Sequence, residues 1–213
     1  MIKAIFFDFG GVITTSPFEA FTRFEQEQGL PDNFIRQINA TNPDENAWAL
    51  LERNDIDLAK FDELFLAESS AAGHPIKGSQ IIALLAGNVR PEMLNALKLC
   101  KTKFKIACLT NNVNTGTGPG MSFDQDKTNA INEAMALFDF ILESSKAGVR
   151  KPEQAFYELA CEAMSVTPDE VIFLDDLGIN LKTARAMGMT TIKVTDAHSA
   201  LEQLAKLTDL PLI

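Results

Sequence analysis

The chain has 213 residues, with 19 Lys and Arg against 29 Asp and Glu, and its formal charge at neutral pH is −10. Hydrophobic residues make up 46% and charged residues 23%, which is typical of a globular protein and excludes a disordered one. The acidic charge disfavours nucleic acid and an anionic membrane surface as partners, because both would repel it.

Short apolar runs alternate with helical patterns along much of the chain. The first run, residues 2–7, is apolar apart from Lys3, ends at Asp8, and predicts a strand buried on both faces. Similar runs predict strands at 104–109, 138–142, 171–174 and 191–194, and helical patterns occupy 91–101, 123–137, 153–164 and 180–187, with a loop at 115–120. This alternation predicts an α/β fold, a Rossmann-like parallel sheet with helices on both faces.

Residues 15–90 break the alternation. They contain no convincing strand, and amphipathic stretches at 16–28, 32–40, 45–53, 58–68 and 79–85 predict helices that pack on one another. We therefore predict two domains, an α/β domain of residues 1–14 and 91–213 and an inserted helical domain of residues 15–90.

Unusual polar residues stand at or just beyond the predicted strand ends. They are Asp8, Thr110, Asn111, Lys151, Asp175 and Asp176. Each taken alone is an ordinary turn, helix-cap or solvated residue. Their conjunction favours a site, because the carboxyl ends of parallel strands share one edge, where ligands bind.

The chemistry of these side chains fits a metal ion plus a phosphate group. Asp8 and Asp176 would hold a hard cation such as Mg²⁺, which prefers oxygen ligands. Thr110 and Asn111 would donate hydrogen bonds to phosphate oxygens, and Lys151 would offset their negative charge.

Four segments in this order resemble the haloacid dehalogenase superfamily: residues 7–12, 109–112, 150–152 and 173–176, reading FDFGGV, LTNN, RKP and FLDD. The segment 173–182 is similar to the N-terminal phosphatase domain of soluble epoxide hydrolase and to the domain of this superfamily joined to certain acyl-CoA dehydrogenases. Both relatives carry a helical cap after the first strand, where residues 15–90 fall. The resemblance covers the whole chain.

The resemblance implies a Mg²⁺-dependent phosphatase that hydrolyses a small organic phosphomonoester. Asp8 would attack phosphorus and form an aspartyl-phosphate, while Thr110, Asn111 and Lys151 stabilise the oxygens of the transition state. The partner would be a small-molecule phosphate ester, and the protein a monomer or homodimer.

The resemblance also implies a set of metal ligands. Mg²⁺ would be held by Asp8, the backbone carbonyl of Gly10 and Asp176, with Asp175 orienting metal-bound water. Asn180 is in register with a pocket residue of the relatives, or it caps its own helix.

Gly10 departs from the family pattern, because family phosphatases usually have a second Asp there as general acid and base. General acid–base catalysis typically contributes about 10²–10⁴-fold. The loss is tolerable if the leaving group is good, or if a cap residue such as His74 replaces it. The alternatives are a phosphometabolite-binding pseudoenzyme with little turnover and a metal-free 2-haloacid dehalogenase.

Six of the fifteen phenylalanines fall in the helical insertion: Phe18, Phe21, Phe24, Phe34, Phe61 and Phe65. Their helical spacing indicates that most pack the interior of the insertion. The alternative for Phe18, close behind the nucleophile loop, is that it binds substrate by lining an apolar channel for an alkyl or acyl phosphate.

Three cysteines, Cys100, Cys108 and Cys161, lie far apart without a neighbouring histidine cluster, which disfavours a disulfide framework or a zinc site and is typical of a reducing compartment. The chain meets Asp8 after only a few apolar residues, which is unlike a signal peptide, and no stretch is long enough to span a bilayer. We expect a soluble, cytoplasmic protein.

Overall fold

The structure is a computed structural model that describes residues 1–113 and 125–213. The predicted loop at 115–120, and the first two residues of the helix predicted at 123–137, lie outside the described residues. Among the helices that are described, none is both long and apolar enough to cross a membrane.

Five parallel strands form one sheet in the order β3-β2-β1-β4-β5. The strands are β1 (Ala4–Phe7), β2 (Lys105–Thr110), β3 (Phe140–Glu143), β4 (Val171–Asp175) and β5 (Thr190–Lys193). Each lies within two residues of its predicted bounds, and the predicted α/β fold class is confirmed. The central strand β1 places the segment that follows it between the ends of β2 and β4.

Helices cover both faces of the sheet, because successive strand residues point to opposite sides. One face packs Ile5 and Phe7 of β1 against α6 (Pro91–Cys100), α7 (Gln125–Leu137) and α11 (Ala197–Thr208). The other face packs Ala4 and Phe6 against α9 (Gln154–Met164) and α10 (Gly178–Ala186). Burial on both faces explains why the strands are continuous apolar runs.

Five helices lie within residues 15–90, as the amphipathic stretches predict. They are α1 (Pro17–Gln28), α2 (Phe34–Ala40), α3 (Ala47–Glu52), α4 (Leu58–Ala71) and α5 (Gly78–Ile82), and we call them the helical insertion. Its two ends lie side by side, because Thr14 and Val89 form an isolated bridge and Arg90 N–H donates to the Ile13 carbonyl (2.9 Å). The two-domain boundaries at 14/15 and 90/91 stay a prediction.

Most insertion phenylalanines pack the interior of the insertion. Phe21, Phe34, Phe61 and Phe65 are buried in one apolar cluster, while Phe18 and Phe24 lie half-buried at its margin. Glu25, buried in α1, joins that helix to the next by accepting hydrogen bonds from the Asn33 and Ile35 N–H groups (3.0 and 2.9 Å).

The structure contains four elements that were not predicted from the sequence: a wide helical turn (Phe9–Ile13), α8 (Ser144–Ala147), a 3₁₀ turn (Pro168–Glu170) and α11. The signal for α11 is present in the sequence, since Ala197, Ala200, Leu201 and Leu204 recur at helical spacing and are buried. Asp196 caps this helix by accepting a hydrogen bond from the Ser199 N–H (2.8 Å).

Candidate active site at the carboxyl edge of the sheet

Asp8 follows the central strand directly and lies level with the end of β4. Phe7 is paired with Cys108 on one side and Leu174 on the other, and Asp8 N–H donates to the Leu174 carbonyl (2.8 Å). The Asp8 carboxylate accepts a hydrogen bond at Oδ1 from the Phe9 N–H (2.6 Å). This bond fixes the carboxylate at the start of the loop.

The wide turn Phe9–Ile13 carries two glycines with different constraints. Gly11 has a φ of 77°, and a Cβ on it would lie 2.3 Å from Asp176 Oδ2, so a side chain there would displace this carboxylate. Gly10 has a φ of −67°, and a Cβ on it would meet none of the described atoms within 4 Å. Glycine is therefore required at position 11, whereas position 10 has room for a side chain.

Lys151 links the carboxylates that stand at the ends of β1 and β4. Its Nζ lies 2.9 Å from Asp8 Oδ1 and 2.8 Å from Asp175 Oδ2, and the side chain is 1% exposed. Burial alone would lower the pKa of Lys151, but the adjacent Asp175 and Asp8 raise it above its ordinary value. Lys151 therefore carries a buried positive charge at neutral pH.

The position of Lys151 in the chain differs from the expectation that it lies just beyond a strand. β3 ends at Glu143, α8 follows, and Lys151 stands in the loop before α9. The loop brings the lysine back over the sheet edge because its backbone is bonded to Asn111, which follows β2.

Asp175 is completely buried and surrounded by donors. Besides Lys151, it accepts hydrogen bonds from Asn180 Nδ2 (3.1 Å to each oxygen) and from the Leu177 N–H (2.7 Å). The Asn180 carbonyl in turn accepts a hydrogen bond from the Tyr157 hydroxyl (2.9 Å). Asn180 thus enters the site by orienting Asp175, and its predicted contact with substrate stays a prediction.

Asp8, Asp175 and Asp176 form a compact carboxylate cluster, each with one oxygen atom within 4.8 Å of those of the others. Burial, and then the charge of Asp175, raise the pKa of Asp176 to about 6, and burial raises the pKa of Asp8 well above its ordinary value. Three carboxylates facing one ammonium group have an excess of two negative charges when ionised. An all-oxygen donor set with this charge fits a divalent hard cation such as Mg²⁺.

Thr110 and Asn111 lie at the end of β2, on the side of β1 opposite to β4. Thr110 is the buried last residue of β2 and pairs with Glu143. The Asn111 amide clamps the Lys151 backbone, with Oδ1 accepting from the Lys151 N–H (2.9 Å) and Nδ2 donating to the Lys151 carbonyl (3.0 Å). Asn111 therefore fixes the segment from which the lysine reaches Asp8.

Glu52, which was not predicted as a site residue from the sequence, is a buried carboxylate of the helical insertion that faces this edge. Its Oε2 accepts from Asn111 Nδ2 (3.2 Å) and lies 2.8 Å from Arg150 Nε, an ion pair without the alignment of a hydrogen bond. Its Oε1 accepts from Trp48 Nε1 (2.8 Å). In the sequence, Glu52 looks like an ordinary charged residue at the end of a short amphipathic stretch.

Two other candidates from the insertion have different surroundings. Phe18, in α1, packs edge-on against Phe21 (5.9 Å between ring centroids) and beneath the Arg36 guanidinium (4.3 Å). His74 packs edge-on against Phe34 (5.2 Å).

The fold and this edge define the chain as an α/β enzyme with a helical insertion. A family model for haloacid dehalogenase-like hydrolases matches residues 2–188, and the chain belongs to this family. The predicted family membership and hydrolase class are confirmed.

Curated relatives include mouse (Mus musculus) bifunctional epoxide hydrolase 2, 33% identical over 97% of this chain and 39% of its own length. Mouse acyl-CoA dehydrogenase family member 10 is 30% identical over 99% of this chain and 19% of its own length. The chain thus spans well under half of these two relatives. Sesquiterpene phosphatase astK of Aspergillus oryzae is 28% identical, with 96% of each chain covered.

A similar solved structure is an enzyme of the same family from Bacteroides thetaiotaomicron, in complex with magnesium and inorganic phosphate. It is 20% identical, superposes with a TM-score of 0.59, and covers 91% of this chain and 94% of its own. At 20% sequence identity, the comparison shows that the two proteins share a fold and nothing more.

Proposed function

We propose that this protein is a Mg²⁺-dependent phosphatase that hydrolyses a small organic phosphomonoester through an aspartyl-phosphate on Asp8. The observation that carries the proposal is the buried contact of Lys151 Nζ with Asp8 Oδ1 (2.9 Å) and Asp175 Oδ2 (2.8 Å), beside Asp176. A nucleophilic carboxylate, a buried cation and an oxygen-rich ligand set are the groups that phosphoryl transfer requires.

Asp8, the Gly10 carbonyl and Asp176 would hold the metal ion, and Asp175 would orient its water. When bound, Mg²⁺ would supply charge neutralisation for the anionic cluster and the phosphoryl group. The excess of acidic over basic groups at this edge supports such a divalent ion.

The side chains of the edge have separable roles in the proposed reaction. Among the described residues, the Phe9 N–H and Lys151 contact Asp8 at Oδ1, so we assign the attack on phosphorus to Oδ2. Lys151 offsets the charge of the nucleophile and of the phosphoryl oxygens. We assign Thr110 and Asn111 to the same oxygens, where hydroxyl and amide donors would stabilise the transition state.

Gly10 supplies no side chain for proton transfer. We infer that the preferred substrates have good leaving groups, such as an acyl, aryl or sugar-1-phosphate, for which a general acid contributes little. The same feature supports the second candidate function, a phosphometabolite-binding protein that holds its ligand with little turnover.

The relatives support the phosphatase proposal. A relative of similar length is named a sesquiterpene phosphatase, and the Bacteroides structure of the same fold holds magnesium and inorganic phosphate. The adjacent acidic residues Asp175 and Asp176 favour this function over a metal-free 2-haloacid dehalogenase, which has little use for both. The three free, buried cysteines support the proposed cytoplasmic location, and the acidic charge disfavours nucleic acid as a partner.

The test is phosphate release from a panel of phosphomonoesters, with Mg²⁺ and with EDTA, by wild-type protein and Asp8→Asn. We expect release with Mg²⁺ that is abolished by EDTA and by the substitution. Binding of phosphate and Mg²⁺ without release would favour the pseudoenzyme. Halide release from a 2-haloacid in EDTA would instead establish a dehalogenase.

A further inference from the structure

Glu52 is a buried charge from the helical insertion that contacts two segments of the α/β part. It ends α3 and is 6% exposed. Its carboxylate contacts Trp48 within α3, Asn111 after β2, and Arg150 before Lys151. Glu52 therefore lies where the insertion meets the proposed phosphate-binding residues.

Burying a carboxylate is unfavourable unless partners compensate it. Burial raises the pKa of Glu52, and Arg150, Trp48, Lys151 and Asn111 lower it. Three of these partners, Arg150, Lys151 and Asn111, belong to the proposed active site or precede it directly in the chain. A carboxylate needed only for packing within the insertion would have no reason to face them.

Further contacts hold the same two segments together. Arg150 Nη1 donates to the Pro43 carbonyl (2.9 Å), and Arg53 Nη1 lies 3.6 Å from Glu153 Oε1. Residues 43–53 of the insertion and 150–153 of the α/β part are thus joined by polar groups. Glu52 is the member of this set that also reaches Asn111.

The Asn111 amide transmits the contact to the reacting groups. Its Nδ2 is shared between Glu52 Oε2 (3.2 Å) and the Lys151 carbonyl (3.0 Å), while its Oδ1 accepts from the Lys151 N–H (2.9 Å). The acceptor at Glu52 therefore favours one of the two amide orientations, and this orientation fixes the Lys151 backbone. The lysine ammonium then lies between Asp8 and Asp175.

We propose that Glu52 is a positioning residue, through which the helical insertion orients the Asn111 amide and the Lys151 backbone. Its effect on turnover rests on the proposed phosphatase function, whereas the structural link does not. Glu52 touches no reacting atom in this proposal. It acts through Asn111.

The kinetic test compares Glu52→Gln with Glu68→Gln, using p-nitrophenyl phosphate and Mg²⁺. The first substitution keeps the shape but replaces one acceptor by a donor that faces Trp48 N–H, Asn111 Nδ2 or Arg150. Glu68 is the matched control, because its Oε1 accepts from the Ala47 N–H (2.8 Å) at the other end of α3. We expect kcat to fall about tenfold in Glu52→Gln, with a much smaller change in KM, and to stay within about twofold in Glu68→Gln.

A double-mutant cycle separates positioning from a general loss of structure. In an Asn111→Ala background, Glu52→Gln should change kcat less than about twofold, because the residue through which it acts is already absent. Equal effects in both backgrounds would overturn the proposal.

If Glu52→Gln does not fold, Trp48→Phe, which removes the indole donor while keeping an aromatic ring, should lower kcat about threefold with no rise in KM. An unchanged kcat in Trp48→Phe would count against the proposal.

An activity-free readout distinguishes failure of this proposal from failure of the proposed function. Trp48 is the single tryptophan, and its indole N–H donates to Glu52, so one ¹⁵N–¹H resonance reports on the link. Asn111→Ala should shift this resonance in the wild-type and Glu68→Gln backgrounds and leave it in place in the Glu52→Gln background. If Asn111→Ala does not move it in wild type, the link is refuted whatever the activity. If the link holds in a protein without phosphatase activity, only the proposed function fails.

Discussion

The carboxyl edge of the sheet and the helical insertion are each stabilised by a different kind of interaction. At the edge, a buried ammonium lies within 3 Å of two carboxylates, and a network of amide and hydroxyl donors surrounds them. In the insertion, rings pack on rings, as in Trp48–Phe61 and Phe61–Phe65, whose centroids are 5.7 and 5.5 Å apart. The interactions at the edge depend on the direction of each hydrogen bond, whereas the packing in the insertion depends on the shape and the buried area of the side chains.

This difference suggests a division of labour between the two regions. A buried polar network contributes much less to stability when one member is removed, because the remaining groups are left without hydrogen-bond partners. Aromatic packing tolerates exchange of one apolar side chain for another of similar volume. We therefore expect the reaction to take place at the edge and substrate preference to vary with the residues of the insertion.

Removing the nucleophile should have the largest effect. Asp8→Asn keeps the shape of the side chain but removes the oxygen to which we assign the attack and one of the two anionic partners of Lys151. We expect kcat for p-nitrophenyl phosphate to fall by more than about 10³-fold. Asp62→Asn in the insertion, where Asp62 Oδ1 accepts from the Ser79 N–H (2.7 Å), is the control and should keep kcat. Similar losses in the two variants would refute the division of labour.

Installing a carboxylate at position 10 should have the next largest effect. The backbone there is unstrained and a Cβ has room, so Gly10→Asp would add the missing proton-transfer group without displacing described neighbours. Alkyl phosphates have poor leaving groups, because an alkoxide must depart from phosphorus. For these substrates we expect kcat/KM to rise by about ten- to a hundredfold, with little change for p-nitrophenyl phosphate. Gly10→Asn has the same shape without the acid. An equal gain with Gly10→Asn would exclude proton transfer as the cause.

The edge residues could be predicted from the sequence because topology alone brings them together. Parallel strands share the direction of their carboxyl ends, so Asp8, Thr110 and Asp175 had to meet once the strands were assigned. Lys151 was assigned to the site for its chemistry, but its route there, over α8 and a loop, follows from its backbone bonds to Asn111. No strand pattern encodes that route.

Glu52 could not be predicted, because its partners are remote in the sequence and come from two different segments. Asn111 lies 59 positions away, and the contact between Arg150 and Pro43 spans 107. Pairing at such distances depends on how the insertion sits on the sheet, and helical periodicity carries no information about that. The insertion phenylalanines are the opposite case, because their periodicity alone indicates that most of them are buried.

The carboxylate cluster should make the effect of Mg²⁺ on stability depend on pH. Burial and Asp175 raise the pKa of Asp176 from 3.8 to about 6, so without metal its stabilising contribution is complete below 3.8 and is lost as the pH rises through 6. Mg²⁺ favours the ionised cluster, and we expect it to raise Tm by about 5 °C near pH 7.5 but by much less near pH 5. Thermal unfolding with Mg²⁺ and with EDTA at both values measures this. In Asp176→Asn the increment near pH 7.5 should largely disappear, and its persistence would exclude Asp176 as a ligand.

The smallest expected effect is on substrate preference. If Phe18 lines an apolar channel, Phe18→Leu should lower kcat/KM for a long-chain alkyl phosphate relative to glycerol phosphate by about threefold, since part of an apolar contact is lost. Phe24→Leu is matched in chemistry, since Phe24 is half-buried in the same helix, and it should leave the ratio unchanged. A change of the ratio in Phe18→Leu alone would mean that the insertion selects substrates through this ring. An unchanged ratio in both variants, together with a similar loss of Tm, would mean that Phe18 only packs the insertion, and that the residues selecting the substrate lie elsewhere.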